Sequence, residues 1–237
     1  MNIFPAIDLF DGKAVRLLKG DYNQMTVYSD NPSEFAQDFE KQCAKFIHIV
    51  DLEGAKDGTT PNLDTIKDII KSCNLFVEVG GGIRSMAVID EYISAGVDRV
   101  ILGTAAVNDE EFLIEAVKKY GDKIAVGVDI KDGYVAIKGW TEKSEFSCFD
   151  FCEKMQNIGV KTLICTDISK DGAMKGTNRE LYKELSEKFS IDITASGGVS
   201  SIDDVNALRE LDLYGAIIGK AYYIGAIDLK EALEAAK

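Results

Sequence analysis

Two aspartates, Asp8 and Asp129, each close an apolar run and are the side chains best suited to chemistry in this chain. In Ile124–Ile130 the small residues Ala125 and Gly127 share parity with Asp129, while Ile124, Val126 and Val128 face the other way. The first run reads alike, with Ala6 on the side of Asp8 and Ile7 opposite. Bulky aliphatics on one face imply helices packed there, so both acids point the other way, toward an interior or its mouth. A pair of carboxylates can divide acid–base work if one keeps its proton and the other is ionised, which requires unlike surroundings. Capping a turn is the plainer role for one such aspartate; the matched pair favours chemistry. The single histidine, His48, excludes any mechanism that needs two imidazoles. It shares parity with Val50 and is placed either to line the same interior or to sit satisfied in the core.

Glycines come next. Gly80-Gly81-Gly82-Ile83-Arg84 follows the third apolar run and Ser196-Gly197-Gly198-Val199 the seventh; Gly103-Thr104 follows the fourth and Gly219-Lys220 the eighth. Glycine lets a backbone approach a ligand closely, and the helix start after each motif offers unpaired N–H groups. The spacing implies two phosphate cradles, one from Gly81, Gly82, Arg84, Gly103 and Thr104, the other from Gly176, Gly197, Gly198, Gly219 and Lys220. The ligand expected is a small molecule with a phosphate at each end. Two turn dipeptides, Asp11-Gly12 and Asp132-Gly133, precede β-prone runs and predict small hairpins over Lys13–Leu17 and Tyr134–Lys138. Arg16 and the lone Trp140 lie in or just beyond them, placed to clamp a planar ring. Thr166 to Gly172 adds a hydroxyl and carboxylates, Asp171 among them.

The elements that must position these residues alternate along the chain. Candidate strands are Ile3–Asp8, Phe46–Asp51, Leu75–Val79, Arg99–Leu102, Ile124–Asp129, Thr162–Asp167, Ile191–Ala195 and Gly215–Ile218. Helical patterns follow at Pro32–Cys43, Asn62–Ser72, Met86–Ala95, Glu110–Tyr120, Asp150–Ile158, Asn178–Phe189, Ile202–Leu211 and Leu229–Ala236. Eight such units predict an α/β fold, a (βα)8 TIM barrel in one domain over 1–237. An internal repeat supports closure: Gly81-Gly82-Ile83 recurs 116 residues later as Gly197-Gly198-Val199, Asp51 recurs as Asp167 and Asn62 as Asn178. Nearer the start the shift is 121, pairing Asp8 with Asp129 and Asp11-Gly12 with Asp132-Gly133. The half-barrels divide at about 1–121 and 122–237, with equivalent residues across the axis.

Bulk properties narrow the function further. A formal net charge of −13 argues against nucleic acid as a partner but not against a phosphorylated metabolite held by local N–H groups. No apolar run is long enough for a membrane span and no leader is apparent, so the expectation is a cytoplasmic protein without a membrane partner. Cys43, Cys73, Cys148, Cys152 and Cys165 read as buried or half-buried thiols, since no second Cys pair or nearby histidine completes a metal site.

Taken together, Pro5–Leu9, Gly12–Leu17, His48–Leu52, Val79–Arg84, Val128-Asp129, Gly139-Trp140, Thr166–Gly172, Ser196–Val199 and Gly219–Ala221 resemble the phosphoribosylformimino-aminoimidazole carboxamide ribotide isomerases of histidine biosynthesis, over nearly the whole chain. The sister cyclase family shares the repeat and the acids, but it usually has a cysteine near the first aspartate and lacks the His48–Leu52 pattern. The resemblance implies an Amadori rearrangement of an aldose to a ketose, with Asp129 as general acid, Asp8 as general base, and Thr166 and Asp171 assisting. It implies that Trp140 stacks on the aminoimidazole, that Arg16 and His48 contact substrate, and that a monomer works without metal or cofactor. Glu78 stands where glutamine is more usual and Tyr222 where an aliphatic residue is, both expected to alter packing alone. Two other readings stay open: a dual-substrate isomerase that also takes phosphoribosyl anthranilate, and a non-catalytic barrel that binds a bisphosphate.

Overall fold

Short parallel strands, each followed by a helix that covers its outward face, can close on themselves, and here they do. The computed structural model describes residues 1–18 and 20–237, with Leu18 described by its backbone. Its strands are β1 (Asn2–Phe10), β2 (Lys13–Leu18), β3 (Asp21–Ser29), β4 (Phe46–Asp51), β5 (Phe76–Gly80), β6 (Arg99–Leu102), β7 (Ile124–Lys131), β8 (Tyr134–Ile137), β9 (Glu142–Ser147), β10 (Thr162–Asp167), β11 (Asp192–Ser196) and β12 (Gly215–Ile218). Eight of them run parallel in the order β1, β4, β5, β6, β7, β10, β11, β12, and β12 pairs with β1 to close the barrel. β1 and β7, which carry the two aspartates, are separated by three strands on either side.

Parity sorts the side chains into two cores. Ile124, Val126 and Val128 join the large layer between strands and helices, while Ala125 joins Phe4, Ala6, Ile101, Ile164 and Ile217 inside the barrel. The inner floor is aromatic: Phe46 lies 4.8 Å from Phe4 and 5.4 Å from Phe76, centroid to centroid. Burying a side chain of this size contributes roughly 1.5–3 kcal/mol. The helices cover the outer layer with one face each. Leu63–Ser72 buries Leu63, Ile66 and Ile69, and Glu110–Tyr120 buries Phe112, Leu113 and Ala116. The second of these begins where the Asp109 side chain accepts from the Phe112 amide and stops at Gly121.

The structure departs from the sequence reading at several points. Both hairpins gain a third strand, β3 and β9, because these polar, largely exposed segments lack the alternation that marks a half-buried strand. The turns between them form at Asp11-Gly12 and Asp132-Gly133 with positive φ at all four residues, the geometry of a tight hairpin. Three short helices, Leu52–Asp57, Thr104–Asn108 and Lys220–Tyr223, occupy segments too brief to show a period. Helix Pro32–Lys41 ends before Cys43, whose φ is +74°. Among the described residues no helix is long and apolar enough to cross a membrane, and no group of three metal-ligating side chains forms. Cys148, Cys152 and Cys165 are buried and Cys73 half-buried, whereas Cys43 is exposed rather than covered.

Candidate active site

The C-terminal ends of the strands gather the candidate residues at one mouth. Asp8, in β1, faces Val50 across one register and Val15 of the hairpin across the other. Arg16 on β2 reaches back to it, Nη1 donating to Asp8 Oδ2 at 2.9 Å, while Nη2 donates to the Ala6 carbonyl at 2.6 Å. Both partners are only about 15% exposed (15% for Arg16 and 14% for Asp8). Burial opposes the guanidinium's charge, but Asp8, Tyr223 and Asp171 outweigh it and raise Arg16 above its ordinary value. Gly219 has no side chain at the point where one would meet the Arg16 guanidinium at 3.0 Å. Arg16 therefore lies between Asp8 and the second glycine cradle.

Asp129 has different company. Its register partner on β10 is Thr166, where Asp8 has Val50. Burial pushes Asp129 upward, against hydrogen bonds from Trp140 and Thr166 and the nearby His48, and the net direction is up. An aspartic acid of this kind keeps its proton to higher pH than an exposed one. Trp140 comes from the loop between β8 and β9, and its ring lies against Gly20 of the β2–β3 turn. The two hairpin arms thus meet over the mouth.

Asp171 completes the acid group. Desolvation, helped by the charges of Asp8 and Asp129, outweighs the pull of Arg16 and Lys220 and leaves it raised to about 6. Both aspartates act on Asp171, so all three acids share one region. Lys220 donates to the Gly172 carbonyl at 2.9 Å and closes the loop that carries Asp171.

The two glycine pairs are demanded by the protein itself. A Cβ on Gly81 would overlap the Asp51 carbonyl, and one on Gly82 the Gly54 carbonyl. In the second half Gly197 sits on the Asp167 carbonyl and Gly198 on that of Gly176, where a Cβ would lie 2.5 Å away. Beyond them the helices Met86–Ser94 and Ile202–Glu210 are capped by Ser85 and Ser201, whereas among the described residues no side chain caps the short helices that begin at Gly103 and Gly219. First-turn amides left uncapped in this way are suited to an anion. The Thr104 hydroxyl accepts from the Lys138 amide at 2.9 Å. Arg84 donates to the Ala55 carbonyl at 3.1 Å and lies against Gly58.

His48 is 9% exposed, inside the barrel, with Nδ1 at 2.7 Å from Glu78 Oε1. Glu78 therefore touches a candidate site residue, and the expectation that it alters packing alone does not hold. Tyr222 does behave as a packing residue, edge-on to Phe35 and Phe39 with its hydroxyl donating to Asp38 at 2.6 Å. Sequence reasoning missed Tyr223, whose hydroxyl donates to the Ala6 carbonyl at 2.8 Å and whose ring lies 5.0 Å from the Arg16 guanidinium carbon. It also missed Arg99. Nothing local marked Tyr223; for Glu78 and Arg99 the signal was available, since two charges at inward-facing strand positions of a closed barrel must find partners.

Known proteins resemble this chain over nearly its whole length. Residues 2–228 match the family model described as histidine biosynthesis protein. The chain is 50% identical over 234 residues to a protein of Oceanobacillus iheyensis, with 99% of this chain and 98% of the relative covered. It is 51% identical to one of Lactococcus lactis subsp. cremoris (98% and 95% covered) and 48% identical to one of Brachyspira hyodysenteriae (100% of both). All three are named 1-(5-phosphoribosyl)-5-((5-phosphoribosylamino)methylideneamino) imidazole-4-carboxamide isomerase.

Proposed function

Given that this chain belongs to the histidine biosynthesis protein family, we propose that Asp8 and Asp129 carry out the reaction for which its relatives are named. The protein is an isomerase of histidine biosynthesis acting on a phosphorylated small molecule. The finer reading is an intramolecular aldose–ketose conversion, an Amadori rearrangement of a bisphosphorylated ribosylformimino substrate. The observation that carries the roles is the unlike pairing of the two acids: Asp8 is an acceptor for Arg16, and Asp129 is a desolvated acid beside Thr166.

Protonated Asp129 gives its proton to the ribose ring oxygen, the C1–O bond breaks, and the ring opens to a Schiff base. Asp8 then removes the proton from the second ribose carbon, and the resulting enolamine tautomerises to the ketose. Thr166 supports the hydrogen bonding of Asp129. Asp171 and Arg16 complete the charge pattern around Asp8, and Trp140 offers its ring face to the aminoimidazole. The uncapped starts at Gly103–Thr104 and Gly219–Lys220 hold one phosphate each. The fold is one domain over 1–237 whose halves, about 1–121 and 122–237, each supply one acid and one cradle.

The direct test is turnover of the ribosylformimino substrate by the purified protein, alongside Asp129→Asn and Asp8→Asn. Loss of turnover with retained binding in at least one variant is expected. Undiminished activity in either would remove the role given to that residue.

A further inference from the structure

The register aligns Ala6, His48, Glu78 and Arg99 on neighbouring strands, so three polar side chains meet inside the barrel near its aromatic floor. Glu78 and Arg99 are 1% and 3% exposed. Glu78 Oε1 contacts His48 Nδ1 at 2.7 Å; Oε2 lies 3.5 Å from Arg99 Nε, a coulombic contact in which neither atom has a hydrogen-bond partner among the described residues. Arg99 is held in turn by the Tyr214 hydroxyl at 3.0 Å and by the Phe76 ring, 4.9 Å from its guanidinium carbon. The chain Tyr214–Arg99–Glu78–His48 thus fixes a carboxylate under one edge of an imidazole. Among the described residues the other ring nitrogen, Nε2, has no hydrogen-bond partner.

A carboxylate is an acceptor, so the nitrogen it meets must carry the proton. Arginine offers only donors, so Arg99 keeps the carboxylate in its acceptor state. The geometry points to Glu78 as a positioning residue that holds His48 as the Nδ1–H tautomer and presents the Nε2 lone pair to the mouth. That lone pair accepts from a hydroxyl of the sugar-phosphate substrate. The role assigned to the lone pair rests on the isomerase reading; the tautomer itself does not. In water the Nε2–H tautomer of histidine predominates, so the inferred state is the minority one, selected by the second hydrogen bond.

The same argument sets the outcome of Glu78→Gln. Arg99 will draw the amide oxygen, which leaves the amide NH2 to face Nδ1. Nδ1 must then accept, the proton moves to Nε2, and the mouth meets a donor in place of an acceptor. Because His48 is the chain's single histidine, one labelled imidazole reports the state without assignment. With 15N-histidine protein at about pH 8, the native ring is expected to be protonated at Nδ1 and bare at Nε2, and the variant ring the reverse. KM for the ribosylformimino substrate is expected to rise roughly tenfold in the variant, the scale of one hydrogen bond, with kcat changed less than about threefold.

A native ring protonated at Nε2, or at both nitrogens, overturns the inference whatever the protein turns over, and this measurement needs no variant to fold. A variant that reverses its tautomer with KM unchanged overturns the substrate contact. Failure of the isomerase reading registers separately, as no turnover of the ribosylformimino substrate by the native protein, a result that leaves the tautomer measurement standing.

Discussion

The first and second halves of the barrel share a frame and differ in what they hang on it. In each half an aspartate at a strand end is bonded by an asparagine eleven residues on, Asn62 Nδ2 to Asp51 at 2.8 Å and Asn178 Nδ2 to Asp167 at 2.6 Å. In each half a serine caps the helix after the double glycine, and a glycine with ψ of −111° or −106° starts an uncapped one. The differences fall at the mouth: Val50 against Thr166, Arg16 against Ile137, Ala55 against Asp171, Thr104 against Lys220. A symmetric frame would give two aspartates the same tendency to ionise. These few exchanges make their surroundings unlike, which is what acid–base catalysis by two copies of one side chain requires.

The largest expected effects come from the acids themselves. Asp8→Asn and Asp129→Asn should each lower kcat by about 10³-fold or more, the range for losing a positioned acid or base, with thermal midpoints nearly unchanged. Equal, small losses would leave the division of labour without support. Next come the glycines. Gly82→Ala forces a side chain into the Gly54 carbonyl, and Gly198→Ala places one 2.5 Å from that of Gly176, both at positive φ. Urea unfolding should show losses of about 3 kcal/mol or more at Gly82 and somewhat less at Gly198. Equal tolerance of alanine would mean that the two backbone packings are looser than they stand.

Asp171 supplies a smaller, pH-dependent effect confined to the second half. Its folded pKa of about 6 lies above the ordinary carboxylate value, so the folded state holds the proton more tightly. The associated stability is fully present below the unfolded pKa of about 4 and is lost as pH rises through 6. Asp171→Asn should therefore remove that fall, and the variant should be more stable than the parent at neutral pH but not at pH about 4. A parallel offset at both pH values in thermal melts would contradict the raised value. Since the matching residue in the first half is Ala55, Ala55→Asn should leave the slope as it is.

What was legible in the sequence follows the same division. The barrel could be read because its strands and helices carry strong period-2 and period-3.6 signals, and because Asp51–Asn62 and Asp167–Asn178 repeat at one offset. Parity alone set Asp129 on the side of Ala125 and Asp8 on the side of Ala6, away from Val126 and Ile7. β3 and β9 could not be read, because exposed polar strands owe their form to the hairpins beside them and carry no core-facing stripe. The glycine motifs were legible as motifs, but their nearest cause, backbone laid on backbone at Asp51 and Gly54, exists only in three dimensions. Glu78 and Arg99 were legible as inward-facing charges that need partners, but which partner each meets is set by the register that lays their strands side by side.

The smallest effect sharpens the comparison most, because it asks whether one half can be given the other's fastening. In the first half Glu53 Oε2 accepts from the Asp11 amide at 2.7 Å and from Asn62 at 3.0 Å, and Asn62 Oδ1 accepts from the Gly12 amide at 2.9 Å. The turn that leads into the Arg16 arm is thereby tied to the barrel. The equivalent of Glu53 is Ser169, whose short hydroxyl bonds to Asp167 at 2.6 Å, and Asn178 Oδ1 turns to its own helix at the Leu181 amide. Asp132, Gly133, Ser169 and Asn178 instead line an open cleft of about 300 Å³. A glutamate at 169 has the reach of the first-half residue and meets a turn of the same geometry, since Asp11 and Asp132 have φ of 50° and 51°. Ser169→Glu should then stabilise the fold by about 0.5–1 kcal/mol and slow hydrogen exchange at the Asp132 amide, while Glu53→Ala costs about 1 kcal/mol and speeds exchange at Asp11. Faster exchange at Asp132 in Ser169→Glu would mean that the added charge is repelled by Asp132 and Asp167, and that the halves are not interchangeable even where the chain traces the same path.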